Sequence, residues 1–267
     1  MRRILIFIFL AVFSFLMLVP YVWMLLLSFK PQVEIAQANT ILPATWTINN
    51  YIKVFQTVPI IRWFFNSLFV TLTATVIILF TSSLVGFIFA KFVFALKNLI
   101  FWFILATMMI TPQVTMIPSF LLISELGLYD KLPSLILPGM VGGFGIFLCR
   151  QFIEDIPNSL CEAALIDGAH PFYVYFRIIV PLIRPAVGAL AIFTFLLYWN
   201  EYMLPLLYLN KVENMTISLA ISFFSTQRTT DIGAIMATAT LVMLPVTIVF
   251  FVLQKQFIRG IAITGMK

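Results

Sequence analysis

Charge is what this chain has least of. Only 10% of its 267 residues are Asp, Glu, Lys or Arg, where a soluble globular domain carries about a quarter. With 62% hydrophobic residues and a mean hydropathy of +1.09, a soluble fold is excluded. The single histidine, His170, can build neither a zinc site nor a nucleophile–base pair. The two cysteines, Cys149 and Cys161, have no metal spacing and no pairing logic, and read as free thiols in a reducing compartment. No glycine-rich loop of the Walker type is present, so any energy coupling must come through a partner. The net charge of +6 would suggest nucleic acid in a soluble protein. Here it is accounted for by membrane topology, and no nucleic-acid partner is expected.

What the chain has instead is long apolar runs. They are continuous rather than alternating, which points to an all-α polytopic membrane protein and not to a barrel. Six spans are expected, at 4–29, 67–90, 99–122, 132–148, 185–208 and 233–253, in a single permease domain of residues 1–267. The first run is too long for a signal peptide's core and no A-x-A site follows it, so it reads as an uncleaved span. Pro112 and Pro118 interrupt the third span, and Gly139, Gly142, Gly143 and Gly145 in the fourth permit close helix packing. Arg2, Arg3, Lys91, Lys97, Arg150, Arg177, Arg184, Lys255, Arg259 and Lys267 all fall on one side of this topology. By the positive-inside bias, both termini are expected in the cytoplasm of a cell-membrane protein.

Between spans four and five lies a polar interruption, 154–181. Ser159 and Glu162 have the S-x-x-E spacing of a capping box, and Gly168 can end a helix in a left-handed conformation. The spacing predicts a helix of two to three turns, then a sharp turn. Ala163 and Ala164 leave room for another backbone to approach. An ordinary connecting helix has the same local pattern. Glu162 suits the positive end of a helix dipole; it also suits an ion pair with an arginine on a cytoplasmic partner. Glu162 and Asp167, five positions apart, point ~140° from each other and cannot share one partner charge.

Glu201 is the one acid inside an expected span, about 24 Å up a ~30 Å core. An ionisable residue at depth suggests a solute pathway; at that height it can also snorkel outward. Trp199, Asn200 and Tyr202 beside it supply hydrogen bonds and stacking faces that suit a sugar ring.

These residues carry a family resemblance. Glu162-Ala163-Ala164, then Gly168, then Ile178-Ile179-Val180-Pro181 resembles the EAA loop of integral membrane subunits of ATP-binding-cassette importers, with Val180 where the family usually has leucine. Asp167-Gly168-Ala169, Asn49-Asn50-Tyr51, Phe65-Asn66-Ser67, Trp199-Asn200-Glu201 and the tail from Arg259 to Lys267 look like the MalG-type permease of the carbohydrate-uptake group. The resemblance implies a transport subunit, not an enzyme. It implies a second homologous permease, two ATPase subunits that carry ATP and Mg, an extracytoplasmic solute-binding protein and a carbohydrate substrate, with no cofactor on this chain. It further implies that Glu162, Ala163, Ala164, Asp167, Gly168, Ala169 and Pro181 engage the ATPase. Trp199, Asn200, Glu201 and Tyr202 would line the pathway, and the 211–231 loop, with Thr216, Ser218 and Gln227, would meet the binding protein. A permease for glycerol phosphate or another polar solute shares the pattern. A carrier or channel independent of ATP is the other alternative, though it would normally show more midplane charge.

Overall fold

The computed structural model describes residues 2–37, 40–225 and 231–264, with side chains described up to Phe251. The described residues are helical and contain no β-strand. In chain order the α-helices are α1 (Arg2–Ser28), α2 (Gln32–Gln37), α3 (Asn49–Thr57), α4 (Ile60–Lys91), α5 (Lys97–Thr107), α6 (Pro112–Glu125), α7 (Pro133–Ile136) and α8 (Gly143–Glu154). They continue as α9 (Asn158–Ile166), α10 (Pro171–Val174), α11 (Val180–Leu182), α12 (Arg184–Trp199), α13 (Met203–Tyr208), α14 (Ala220–Phe223) and α15 (Ile232–Thr264).

Three helices are long and apolar enough to cross a bilayer unaided: Arg3–Ser28, Ile60–Lys91 and the Ile232–Phe251 stretch. Three more spans arise if bent pairs are taken together: Lys97–Thr107 with Pro112–Glu125 at 97°, Pro133–Gly139 with Gly143–Glu154 at 49°, and Pro171–Leu182 with Arg184–Trp199 at 79°. Six expected spans thus become three straight and three broken ones, and each break has a local cause. Thr111 is extended (φ −71°, ψ 142°) because the ring of Pro112 disfavours helical geometry at the residue before it. Pro118, by contrast, sits inside α6 and ends nothing. Gly142 is likewise extended between the halves of the fourth span. The third pair breaks at Ile183 (φ −91°, ψ 13°), where a continuous helix would drive the ring of Pro185 into the Pro181 carbonyl; upstream, a π turn over Tyr175–Ile179 widens the helix ahead of Pro181.

Several expected boundaries move. The second span begins at Ile60, not 67, and α15 carries on to Thr264, past the expected end of the sixth span at 253. The fifth span does not run unbroken from 185 to 208: it stops at Trp199 and restarts at Met203.

The chain's contacts group into two units, 1–64 with 216–247 and 65–215 with 248–267. In the first, Asn50 donates to the carbonyls of Ser28 and Lys30, both at 2.8 Å, and so caps the end of α1. The Tyr51 and Ser28 hydroxyls share a hydrogen bond at 2.8 Å. Lys53 pairs with Asp231, whose carboxylate also accepts the Ala234 N–H at 3.0 Å at the start of α15. In the second unit, Phe87, Cys149, Cys161, Tyr175, Ile179 and Leu190 form one buried cluster joining α4, α8, α9 and the helix after α9. α8 lies hard against α4: a β-carbon on Gly86 would meet the Cys149 β-carbon at 2.8 Å and the Arg150 nitrogen at 2.9 Å.

Candidate functional site

The polar interruption is a nine-residue helix, α9, held from both ends. Its start differs from the capping-box expectation. Pro157 (φ −57°, ψ 134°) precedes the first helical residue, Ser159 lies within the first turn, and no side chain caps the N-terminus. The cap position thus falls on Pro157, two residues before Ser159, so the Ser159–Glu162 box has no position to fill. The clamp comes from elsewhere: the Lys91 ammonium, at the end of α4, donates to the Ile156 carbonyl and, at 2.8 Å, to the Asn158 side chain. Sequence reading missed Lys91, whose partners lie 65 and 67 positions away.

At the other end Gly168 has φ +85°, a conformation a β-carbon disfavours. The Ala169 N–H reaches the Ala164 carbonyl at 2.9 Å and the Gly168 N–H reaches that of Leu165 at 3.0 Å, the paired bonds of a Schellman stop. His170 follows, its Nδ1 accepting the Phe172 N–H at 3.3 Å to start α10. Its role is a turn-holding one at the surface.

Between these fixed ends α9 has two faces. Cys161 is buried, and Ala164 and Ala169 pack on the same cluster, so Ala164 is turned largely toward the chain's own core and not outward with Ala163. Burial pushes the Cys161 thiol up, with the Glu162 charge adding to this and Lys91 opposing it; the thiol stays protonated and inert. Glu162, Ala163 and Asp167 are exposed. Glu162 makes no hydrogen bond or ion pair among the described residues. Ile166, four positions after Glu162, is 85% exposed. The exposed side of α9 thus carries two acids, Glu162 and Asp167, the small Ala163, and the apolar Leu160, Leu165 and Ile166, with Glu162 and Ile166 one turn apart. The i, i+4 spacing of Glu162 and Ile166 is the signal that would have found Ile166 in the sequence. Pro181 lies in α11, in the segment that leads from α9 to α12, which turns by 79° just beyond it.

The second candidate group is arranged otherwise than expected. Trp199 is 1% exposed and stacks on Phe195 at 5.7 Å and 7°, so its ring is already committed. Asn200 ends α12, donating to the Leu196 carbonyl at 2.9 Å. The Glu201 carboxylate is not placed in a continuous span: it accepts the Met203 and Leu204 N–H groups at 2.9 and 3.1 Å and opens α13. Tyr202 is half-buried in the same break. Asn200, Glu201 and Tyr202 thus form a polar, irregular join within an apolar span, the kind of backbone tolerated in membranes where it lines a cavity or is buried in protein.

The 211–231 loop turns Thr216 and Ser218 inward. Both are buried and their hydroxyls bond each other at 2.9 Å, so neither offers a side chain to another protein. Gln227 lies outside the described residues. The base of this loop is fastened by polar groups: Asn66 donates to the carbonyls of Glu213 and Met215, both at 2.9 Å. Asp130 accepts the N–H groups of Asn210 and Lys211, both at 3.0 Å. Burial pushes the Asp130 carboxyl up, but those N–H groups, the Asn214 amide and the Lys211 charge outweigh it and hold it below the ordinary 3.8. A depressed carboxylate stabilises fully above its unfolded value and loses that contribution as pH falls through the lower, folded one. Hydrogen exchange at the Asn210 and Lys211 amides should therefore stay slow down to about pH 4 and accelerate beyond its intrinsic pH trend only below it. In Asp130→Asn that added acceleration is expected to vanish.

An all-α membrane chain with broken spans and a rigid, outward-facing acidic elbow has the architecture of a transport permease. The chain belongs to the family of binding-protein-dependent transport system inner membrane components, whose pattern it matches over residues 82–263. It is 35% identical to the arabinooligosaccharides transport system permease protein AraQ of Bacillus subtilis over 99% of this chain and 96% of that protein. It is 31% identical to the lactose transport system permease protein LacG of Rhizobium radiobacter, over 94% and 92%. Its fold is similar, with a TM-score of 0.84, 22% identity and 95% of each chain covered, to a chain of a bacterial ABC transporter involved in import of the acidic polysaccharide alginate.

Proposed function

We propose that this chain is one of two permease subunits of an ATP-binding-cassette importer, forming half of the pathway for a sugar or oligosaccharide. The observation that carries this reading is α9: a short helix fixed by Lys91 at one end and Gly168 at the other, with Glu162, Ala163 and Ile166 turned outward. A fixed helix with an unpaired acid and an apolar anchor fits a cleft carrying an arginine. Two ATPase subunits, holding ATP and Mg, would grip it from the cytoplasm, with both termini of this chain on that side. Closure of the ATPase dimer would push α9, and the segment through Pro181 would carry the motion to α12, giving alternating access by rigid-body rocking. This chain binds no cofactor of its own. A binding protein would deliver the solute to the fastened 209–215 loop, where Lys211, Val212 and Glu213 are exposed. The sister permease and lipid would cover α1, whose apolar window is 0% buried within the chain.

The relatives' names support a carbohydrate as the solute. Uptake of a panel of labelled mono- and oligosaccharides, with glycerol phosphate as comparison, into vesicles holding all subunits tests it. One sugar should be accumulated with ATP and with the binding protein. Accumulation of glycerol phosphate alone, or of a sugar without ATP, would contradict the reading. With that sugar, the double variant Asn200→Ala, Glu201→Ala is expected to raise KM roughly tenfold, about two lost hydrogen bonds, while the assembled complex purifies in normal yield. An unchanged KM removes the 200–202 join from the pathway.

A further inference from the structure

The end of α4 and the segment after α9 border two adjoining cavities, the smaller of which reaches the coupling residue Glu162 while the larger lies apart from it. The larger, about 400 Å³, has an apolar lining that includes Leu84, Phe87, Ile88, Phe92, Val93 and Phe172. The smaller, about 240 Å³, shares Phe87, Phe92 and Val93 with it and adds Lys91, Asn158 and Glu162. An apolar chamber thus opens onto a polar one. The helix α4 has 32 residues and is about 48 Å long, more than the ~30 Å hydrocarbon core, so its charged last residue, Lys91, is accommodated at or beyond the core's edge, where headgroups lie.

We propose that the paired cavities hold a membrane phospholipid, one acyl chain in the apolar chamber and its phosphate against Lys91. Lys91 has three N–H donors. Two are directed at Ile156 and Asn158, and the ammonium forms no ion pair among the described residues. A positive group with a donor to spare, at headgroup height and beside an apolar chamber, is complementary to a lipid phosphate. Glu162 lines the same polar chamber, which favours a zwitterionic headgroup such as phosphatidylethanolamine over one with net negative charge. The apolar chamber opens onto the chain's surface, where Val93 at its rim is 96% exposed, so an acyl chain can enter it from outside. The bound chain fills the space between α4 and the helix after α9, two elements otherwise joined there by the Phe87–Tyr175 contact at 5.7 Å and the Ser83–Tyr175 hydrogen bond at 2.7 Å. The proposal rests on the chain's place in a membrane and not on docking of α9, so the two can fail separately.

The test is photolabelling of the full-length chain, within its complex, in phosphatidylethanolamine nanodiscs. The probes are phosphatidylethanolamine and diacylglycerol, each with a diazirine on an acyl chain, and labelled peptides are mapped by mass spectrometry. The phospholipid probe should label residues 84–94 and 171–175 above the level on lipid-facing α1. Leu84→Trp, which fills the chamber, should abolish that excess and leave α1 labelling unchanged; if it fails to fold, Val93→Trp at the exposed rim should do the same. Lys91→Gln should lower phospholipid labelling roughly fivefold and leave diacylglycerol labelling unaltered. Labelling no higher than on α1, equal labelling by both probes, or indifference to the chamber-filling variant would overturn the proposal. So would crosslinks showing the chamber occupied by a side chain of the ATPase.

Discussion

Replacing Glu162 with lysine is expected to abolish ATP-driven uptake while leaving the permease inserted in the membrane. Glu162 is exposed on a helix whose position is set by Lys91 and Gly168, so the substitution changes the charge offered to a partner without disturbing the chain's own packing. Removing one member of a desolvated charge pair costs about 2–5 kcal/mol, and reversing its sign adds repulsion. Docking of the ATPase should weaken by roughly thirtyfold or more. Two readouts separate coupling from folding: the variant should appear in the membrane at normal levels, and the ATPase should no longer co-purify with it. Co-purification in full yield together with normal uptake would show that the acid serves only its own helix.

The second large effect concerns the contact between α4 and α8. At Gly86 a β-carbon would stand 2.8 Å from that of Cys149 and 2.9 Å from a backbone nitrogen. The obstacle is main chain and cannot rotate away, so Gly86→Val must displace a helix. Overpacking of this kind costs about 1–3 kcal/mol and occasionally more, equivalent to a fall of roughly 2–12 °C in the melting temperature for a chain of this size. Thermal unfolding of the purified permease in detergent measures it. Since the same α4 surface supports Phe87 and the cluster beneath α9, uptake per folded molecule should fall as well. A variant with unchanged melting and uptake would mean that the helices do not approach this closely.

Some of this was legible in the sequence, and for identifiable reasons. A turn that needs positive φ leaves few residues to choose from, so Gly168 announced the end of α9. Apolar runs long enough to span a bilayer have no other use, so the membrane class and the number of spans followed. The breaks were less visible. Hydropathy averages over a window, and Leu196, Leu197, Leu204, Leu206 and Leu207 keep the average high across a join where Glu201 in fact opens a new helix. Ser159 had the spacing of a cap but not the place, because the cap position falls on Pro157 and the helix starts at Asn158. Thr216 and Ser218 looked like surface polar residues, yet each satisfies the other's hydroxyl in the interior. Lys91 was hidden by distance along the chain: nothing near it in sequence shows that it holds the segment before α9. Local chemistry could be read from neighbours; side-chain direction could not.

The claim on which the rest depends is that α9 sits in a cleft of a nucleotide-hydrolysing subunit. Site-directed crosslinking measures this most directly. With Cys149 and Cys161 replaced by alanine, the variant Ala163→Cys would be joined by a bifunctional maleimide to single cysteines placed around the ATPase cleft in the assembled transporter. A crosslinked permease–ATPase product whose yield changes when ATP is added is the expected result. No product at any cleft position, with residue 163 instead modified in intact cells by a membrane-impermeant maleimide from outside, would contradict it.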